Sequence, residues 1–315
     1  MEQILNNAIR NRVFPDQEVG AFLSGGLDST TIATLMQKQS NHKIKTFTLG
    51  LEDHKSNEAE YAKATAQYLG TDHTEIYMND QDALDLIPQL PFIYDEPFGD
   101  ISQIPSLIIA KIAKQSVNCI LTGDGGDEIF FADRSKSLSY SLGETVVTIP
   151  RHLRQLISKI LNVITSAQLG LNWNFLETLS PKLFKYNSPQ ERLKELQQIF
   201  SFQQEEYVYQ YLSSIWKSPL DLVLNSRELQ TVFTNSQYQL NLPNFIQRII
   251  YFDLLTWLPD DILVKVDRSS MAVGLETRMP FLDQNVVKFT WQLPLSYHLC
   301  NGQGKRILRQ ILAKH

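Results

Sequence analysis

The chain has 315 residues, of which 43% are hydrophobic and 20% charged, and it carries a net charge of −5 at neutral pH. This is the composition of a soluble globular protein with enough chain for one large domain or two modest ones. The negative balance and the lack of a long basic run exclude a general nucleic-acid surface. No apolar run is long enough to cross a membrane, and Met1-Glu2-Gln3 opens nothing like a signal peptide. Cys119 and Cys300 have no metal-binding or redox spacing and read as thiols of a reducing compartment. A cytoplasmic protein without nucleic-acid or membrane partners is expected.

In chain order, Ile4, Leu5, Ala8, Ile9 and Val13 have helical spacing, ended by Phe14-Pro15-Asp16. Val19 to Leu23 is a run of strand formers that breaks at Ser24-Gly25-Gly26, after which Ile32, Leu35 and Met36 mark a helix. A strand, a glycine turn and a helix start make an anion cradle. The glycines admit close approach, the helix offers free N–H groups, and Ser24 and Ser29 add hydroxyls. Phosphate is the guest this predicts, although the spacing is not that of a Walker A loop. Asp28 does not suit a pure anion cradle, and its carboxylate makes sense beside a divalent cation.

Lys43 to Leu49 alternates as a second strand closed by Gly50, and Ser56-Asn57-Glu58 opens a helix through Leu69. His73 to Met78 reads as a third strand, residues 81–90 and 102–114 as helices, and Val117 to Thr122 as a further strand. This alternation predicts a parallel sheet covered on both faces, with ligands beyond the carboxyl ends of its strands. From residue 135 to about 255 the pattern is helical, punctuated by Pro150, Pro181, Pro189, Pro219 and Pro243. The expected division is an α/β core over 1–134 and a mainly helical part over 135–315.

Thr122-Gly123-Asp124-Gly125-Gly126-Asp127-Glu128 repeats the logic of the first loop. Helix capping accounts for one or two acids there, not for three acids with three glycines, so metal and substrate binding is the better reading. Asp260, Asp261 and Lys265 suit a solvated, self-paired helix as well as they suit function. Trp216, Trp257 and Trp291 read as core, His298 as a surface or capping residue. Lys305, Arg306 and Arg309 read as the polar face of a helix carrying Ile307, Leu308, Ile311 and Leu312.

Five segments stand in the order seen in the synthetase domain of glutamine-hydrolysing asparagine synthetases. They are Ser24 to Ser29, Thr48-Leu49-Gly50-Leu51, Asp95-Glu96-Pro97, Thr122 to Glu128, and Leu275 to Asp283. The chain resembles that family, a branch of the PP-loop ATP pyrophosphatases, from residue 1 almost to its end. The resemblance implies a parallel-sheet α/β core of the adenine nucleotide alpha hydrolase type, with a large helical C-terminal part. It also implies ATP and Mg2+ as cofactors and adenylation of the β-carboxylate of aspartate. Pyrophosphate then leaves, and ammonia displaces AMP to give asparagine.

Carried over residue by residue, Leu23 and Leu49 would meet the adenine, and Ser24, Gly25, Gly26 and Ser29 the β and γ phosphates. Thr122 and Gly123 would add nucleotide contacts, and Asp28 and Asp127 would hold Mg2+. Asp124 would serve formation of the aspartyl-AMP intermediate, with Glu128 beside the substrate. Asp267 and Arg268 would line the aspartate or AMP side, Arg268 as a catalytic group, and the match also favours roles for Glu276 and Arg278.

Two departures stand out. The family's glutaminase domain, with its N-terminal Cys, has no counterpart, so ammonia or a glutaminase domain or subunit is the expected nitrogen source. A lysine expected beyond the last helix has no match before the chain stops at His315, which suggests a fragment. The rival readings are a β-lactam synthetase-like enzyme with another carboxylate and amine, and an ATP-binding protein without full turnover.

Overall fold

The structure, a computed structural model, describes residues 1–14, 16–51, 58–131, 146, 148–166, 189–214, 216–217, 220, 222–227, 230–233, 235–238, 240, 242–300 and 303–315. Helix α1 (Glu2–Arg10) precedes β1 (Val19–Phe22), α2 (Leu27–Gln39), β2 (Lys45–Leu51), α3 (Glu58–Leu69) and β3 (Asp72–Met78). Then come α4 (Asp80–Leu86), α5 (Leu90–Tyr94), α6 (Gln103–Lys114), β4 (Cys119–Leu121), the short α7 (Gly126–Phe130) and, much later, β5 (Glu276–Arg278). The strands form one sheet in the order β3-β2-β1-β4-β5, and every neighbouring pair is parallel. The α/β fold with a parallel sheet is therefore as the sequence predicts.

Strand β1 lies at the centre, where Ala21 pairs with both Thr46 and Leu121. It is covered on both faces, which is why its sequence is a continuous apolar run and not an alternation. Its C-terminal end, together with that of β4, opens where a switch in strand order leaves a crevice. Strand β2 continues to Leu51 opposite Met78, past the stop expected at Gly50. Ser56 and Asn57, the expected opening of α3, lie outside the described residues. Strand β5 has no apolar signal, being Glu-Thr-Arg, and forms because β4 offers it an open edge.

The chain divides into two compact units, Met1–Ala132 with Asp253–His315, and Asp133–Phe252. The last sixty or so residues thus group with the sheet and not with the helical part. The reason is apolar packing: Phe281, Val286, Ile307, Leu308 and Ile311 are buried in one cluster with Leu5, Ile9, Ile32 and Leu35. Each such side chain contributes about 1.5–3 kcal/mol when fully buried. The second unit contains the helices Arg151–Ser166, Pro189–Ser201 and Glu205–Ser213, with no strand among its described residues. Among the described residues no helix is long and apolar enough to cross a membrane.

Some local expectations fail. Trp216, Trp257 and Trp291 are 56%, 39% and 36% exposed, so they are not core residues. His298 is buried, with Nε2 3.1 Å from the Thr290 carbonyl oxygen.

Arg12 joins the two ends of the first unit: its Nη1 lies 2.9 Å from Asp283 Oδ2, and Asp283 caps the helix Gln284–Trp291 through the Asn285 N–H. Burial pushes the Asp283 carboxyl up, but the bonds from Arg12 and Asn285 outweigh it and hold the carboxyl below its ordinary range. A depressed carboxylate stabilises the fold above its unfolded value and loses that contribution as pH falls through the folded value. Arg12→Ala is therefore expected to lower stability by about 1 kcal/mol at pH 7. The gap to the unsubstituted protein closes at acid pH, below about 4, and urea titrations at the two pH values check it.

Candidate active site

The turn after β1 closes on itself. The Ser24 N–H donates to Ser29 Oγ at 3.0 Å, the two hydroxyls are 2.9 Å apart, and the Gly26 N–H donates to Ser24 Oγ at 3.2 Å. Gly25 has φ +77°, and a Cβ there would stand 2.8 Å from the Ala62 nitrogen, so only glycine fits between the turn and α3. Helix α2 has no side-chain cap at its N-terminus. Its first N–H groups therefore have no capping side chain, the condition under which a helix start can accept an anion.

The second turn, Thr122 to Gly125, follows β4 and leads into α7. It packs directly on the first: a Cβ at Gly126 would come within 2.6 Å of Asp28 Cγ and 2.7 Å of its Oδ1. The glycine here is required by the approach of another residue's carboxylate. Asp28 Oδ1 is buried without a hydrogen-bond partner. Burial pushes the Asp28 carboxyl up to about 6, with Asp127 adding to the shift and Lys305 opposing it.

Lys305 is the largest correction to the sequence reading. It is not on a polar helix face but is buried, one residue before the helix Arg306–Leu312. Its Nζ is paired with Asp28 and lies 2.7 Å from Asp127 Oδ1. Its backbone is left-handed, with φ 57° and ψ 34°, a conformation that a lysine adopts only when its surroundings impose it. A two-stranded ribbon, Leu299–Cys300 with Gln303–Gly304, delivers it, and Ile307, Leu308 and Ile311 anchor the helix behind it. The only sequence signal was a Gly-Lys pair ahead of an apolar helix.

The two turns open on a cavity of about 480 Å³, the size of small-molecule sites. Leu23, Thr48, Leu49 and Leu51 at the ends of β1 and β2, with Ala59 from α3, make a largely apolar wall. Ser24, Asp28 and Ser29 from the first turn, and Thr122, Gly123, Asp124, Asp127 and Glu128 from the second, make the polar floor. Burial pushes the Asp124 carboxyl up, with Thr122 and Lys265 opposing. Helix α6 and the helix Leu263–Met271 close the remaining side, presenting Ser102, Ser106, Lys265, Val266, Ser269 and Ser270.

Asp267 and Arg268, expected on the substrate side, are exposed and outside the cavity. Helical periodicity explains it: with Lys265, Val266, Ser269 and Ser270 turned inward, positions 267 and 268 fall on the opposite face. Arg268 instead pairs with Asp95 at 3.0 Å, an exposed contact of small value. Arg278 is structural. It donates to Glu276, to the Arg12 carbonyl and to Gln17 at 2.8, 2.5 and 2.9 Å, and lies over the Phe14 ring.

Among the described residues no group of three or more His, Cys, Asp or Glu could hold a metal ion. Asp28 and Asp127 both reach the Lys305 ammonium, and Asp28 Oδ1 is buried without a hydrogen-bond partner. These two carboxylates are the oxygen donors that would be available to Mg2+, which takes one or two carboxylates and completes its shell with phosphate and water.

A parallel α/β sheet whose two glycine turns meet at one acidic cavity has the plan of the PP-loop nucleotide-binding class. The family model described as asparagine synthase matches residues 1–315, and the chain belongs to that family. It is 31% identical over 94% of its length to asparagine synthetase (glutamine-hydrolyzing) 1 of Bacillus subtilis, of which it covers 43%. It is 28% identical over 98% of its length to a putative asparagine synthetase (glutamine-hydrolyzing) of Mycobacterium bovis, covering 44% of that protein. It is 35% identical over 60% of its length to a putative asparagine synthetase (glutamine-hydrolyzing) 2 of Methanocaldococcus jannaschii, covering 38% of that protein. The chain thus spans less than half the length of these curated relatives.

Proposed function

We propose that the chain is an ATP-dependent, amide-forming synthetase domain that adenylates the β-carboxylate of aspartate and then passes the acyl group to ammonia. The observation that carries this reading is the meeting of the two glycine turns, with Asp28 and Asp127 sharing one cation position at the floor of a nucleotide-sized cavity. The apolar wall of Leu23 and Leu49 takes the adenine, Thr122 and Gly123 the nucleotide beyond it. Ser24, Gly25, Gly26 and Ser29, with the free N–H groups of α2, hold the β and γ phosphates. Asp28 and Asp127 would hold Mg2+ alongside Lys305, and the ion would supply neutralisation of phosphate charge.

A carboxylate oxygen of aspartate attacks the α phosphorus, and the bond to the bridging oxygen breaks. Pyrophosphate leaves with the electron pair. Lys305, buried behind the lining and paired with Asp28 and Asp127, offsets the charge of those two carboxylates so that phosphates can approach them. Ammonia then adds to the acyl carbon, AMP departs, and the added nitrogen loses a proton. Asp124 lines the cavity, and burial raises its proton affinity, which suits it to receive that proton. Glu128, buried behind it, bounds the substrate space. The relatives are named glutamine-hydrolyzing and are more than twice as long, which supports a glutaminase domain or subunit as the ammonia source. Free thiols at Cys119 and Cys300 fit a cytoplasmic setting.

Aspartate-dependent exchange of labelled pyrophosphate into ATP, with chromatography for asparagine once ammonia is added, tests the reading. Exchange with aspartate and formation of asparagine are expected. Exchange with a different carboxylate only points to a cyclase-like enzyme, and nucleotide binding without exchange to a non-catalytic protein; either outcome overturns it.

A further inference from the structure

Lys265 is the one cationic side chain among the described residues that line the cavity; of the acids that line it, Asp28 and Asp127 are already paired with Lys305, which leaves Glu58, Asp124 and Glu128. It belongs to neither glycine turn. It projects from the helix Leu263–Met271, which follows a π-helical turn over Leu258–Ile262, a distortion often found beside functional sites. Its side chain is 12% exposed. Such burial of an ammonium needs a partner, and Asp100 provides it: Nζ stands 2.8 Å from Asp100 Oδ2. Asp100 is itself fixed, because its Oδ1 accepts both the Ser102 N–H at 2.8 Å and the Ser102 hydroxyl at 2.7 Å.

An ammonium has three N–H donors, and Asp100 is the sole hydrogen-bond partner of this one among the described residues. The other donors are left for a ligand in the cavity that Lys265 lines. Asp100 holds the ammonium from behind the cavity wall, and Asp124 and Asp261 both lie near enough for it to lower their proton affinity, so this positive charge is bracketed by carboxylates. A molecule with a carboxylate and an adjacent ammonium complements that arrangement. A plain dicarboxylate does not.

We infer that Lys265 binds the non-reacting carboxylate of an α-amino dicarboxylate substrate, and that Asp100 is the positioning residue that aims it. The inference rests on the proposed synthetase reading for the identity of the site. The reacting carboxylate of the same molecule is then directed to the α phosphate, so Lys265 selects the substrate while the glycine turns select the nucleotide. Lys265 thereby acquires a function that its spacing in sequence left open.

The test uses Lys265→Met, Lys265→Arg and Asp100→Asn. Calorimetry gives binding of α,β-methylene-ATP with Mg2+, then of aspartate or succinate to that complex; pyrophosphate exchange gives KM and kcat. Lys265→Met is expected to weaken aspartate binding and raise its KM about 30-fold, with nucleotide affinity unchanged. Lys265→Arg should restore part of the loss, Asp100→Asn should act in the same direction on KM more than on kcat, and succinate should bind more weakly than aspartate. If Lys265→Met misfolds and loses nucleotide binding, the other two variants decide by the same criterion.

Unchanged aspartate affinity, or an equal loss of nucleotide affinity in a folded variant, overturns the role of Lys265 and leaves the synthetase reading intact. Lys265-dependent aspartate binding without any exchange overturns the synthetase reading and leaves Lys265 in its role. A complex that binds no aspartate at all overturns both.

Discussion

Replacing Lys305 by methionine is expected to lower the rate of pyrophosphate exchange about 100-fold, the usual effect of removing one preorganised positive or donor group from a site where charge develops. Methionine keeps much of the stem's volume, so the loss is that of the charge shared by Asp28 and Asp127. Stability should fall as well. Stripping a buried carboxylate of its partner costs about 3–5 kcal/mol in the fully buried case. Asp127 is half exposed, and Asp28 can take up a proton instead, so a loss of about 2 kcal/mol is expected here.

The pH dependence follows from Asp28, which burial already pushes up to about 6 against the pull of Lys305. Without the lysine its proton affinity rises further. A carboxyl whose folded value exceeds its unfolded value favours the fold at low pH and loses that advantage as pH rises through the folded value. The stability deficit of Lys305→Met should therefore be largest above neutrality and narrow at pH 5, as read by urea titration without nucleotide. Wild-type exchange by the variant would remove Lys305 from the site.

Gly126→Ala should separate folding from binding. Gly126 is the first residue of α7, where alanine suits the backbone and is favoured over glycine by up to about 1 kcal/mol within a helix. Its methyl group, however, would occupy the space 2.6 Å from Asp28 Cγ. The Asp28 carboxylate must move, and displacements of that size at a reacting centre reduce rate about 100-fold. The expected protein folds with a loss no larger than the roughly 2 kcal/mol expected for Lys305→Met, because Asp28 keeps Lys305 beside it, yet it binds Mg2+-ATP weakly and exchanges pyrophosphate poorly. Normal nucleotide affinity in a folded Gly126→Ala protein would show that the two turns need not touch.

These two residues mark the limits of what was legible. The turn at Ser24 to Ser29 could be read because its signals are local: an apolar strand, two glycines and two hydroxyls lie within a dozen residues. The same holds for Thr122 to Glu128. Strand β5 could not be read, because three residues with two charges carry no strand signal until an open edge receives them. Asp267 and Arg268 were assigned to the substrate side on a motif. A motif gives order along the chain but not the rotational phase of a helix, which here follows a π-helical turn. Lys305 was invisible for another reason: a lysine before an apolar helix looks the same whether its ammonium meets water or a carboxylate 277 positions away.

The amino-acid sequence by itself determined the parallel α/β sheet, the two glycine turns at its strand ends, and the acids beside them. It could do so because strand alternation, glycine turns and helix starts are properties of short segments. Tertiary structure alone decided which charges meet. Burial of Phe281, Ile307, Leu308 and Ile311 against α1 and α2 brings the end of the chain back to the sheet, and with it Lys305 to Asp28 and Asp127. Ion pairing over such separations depends on the packing of apolar faces that contain no charge at all, and that packing is settled only when the whole core forms.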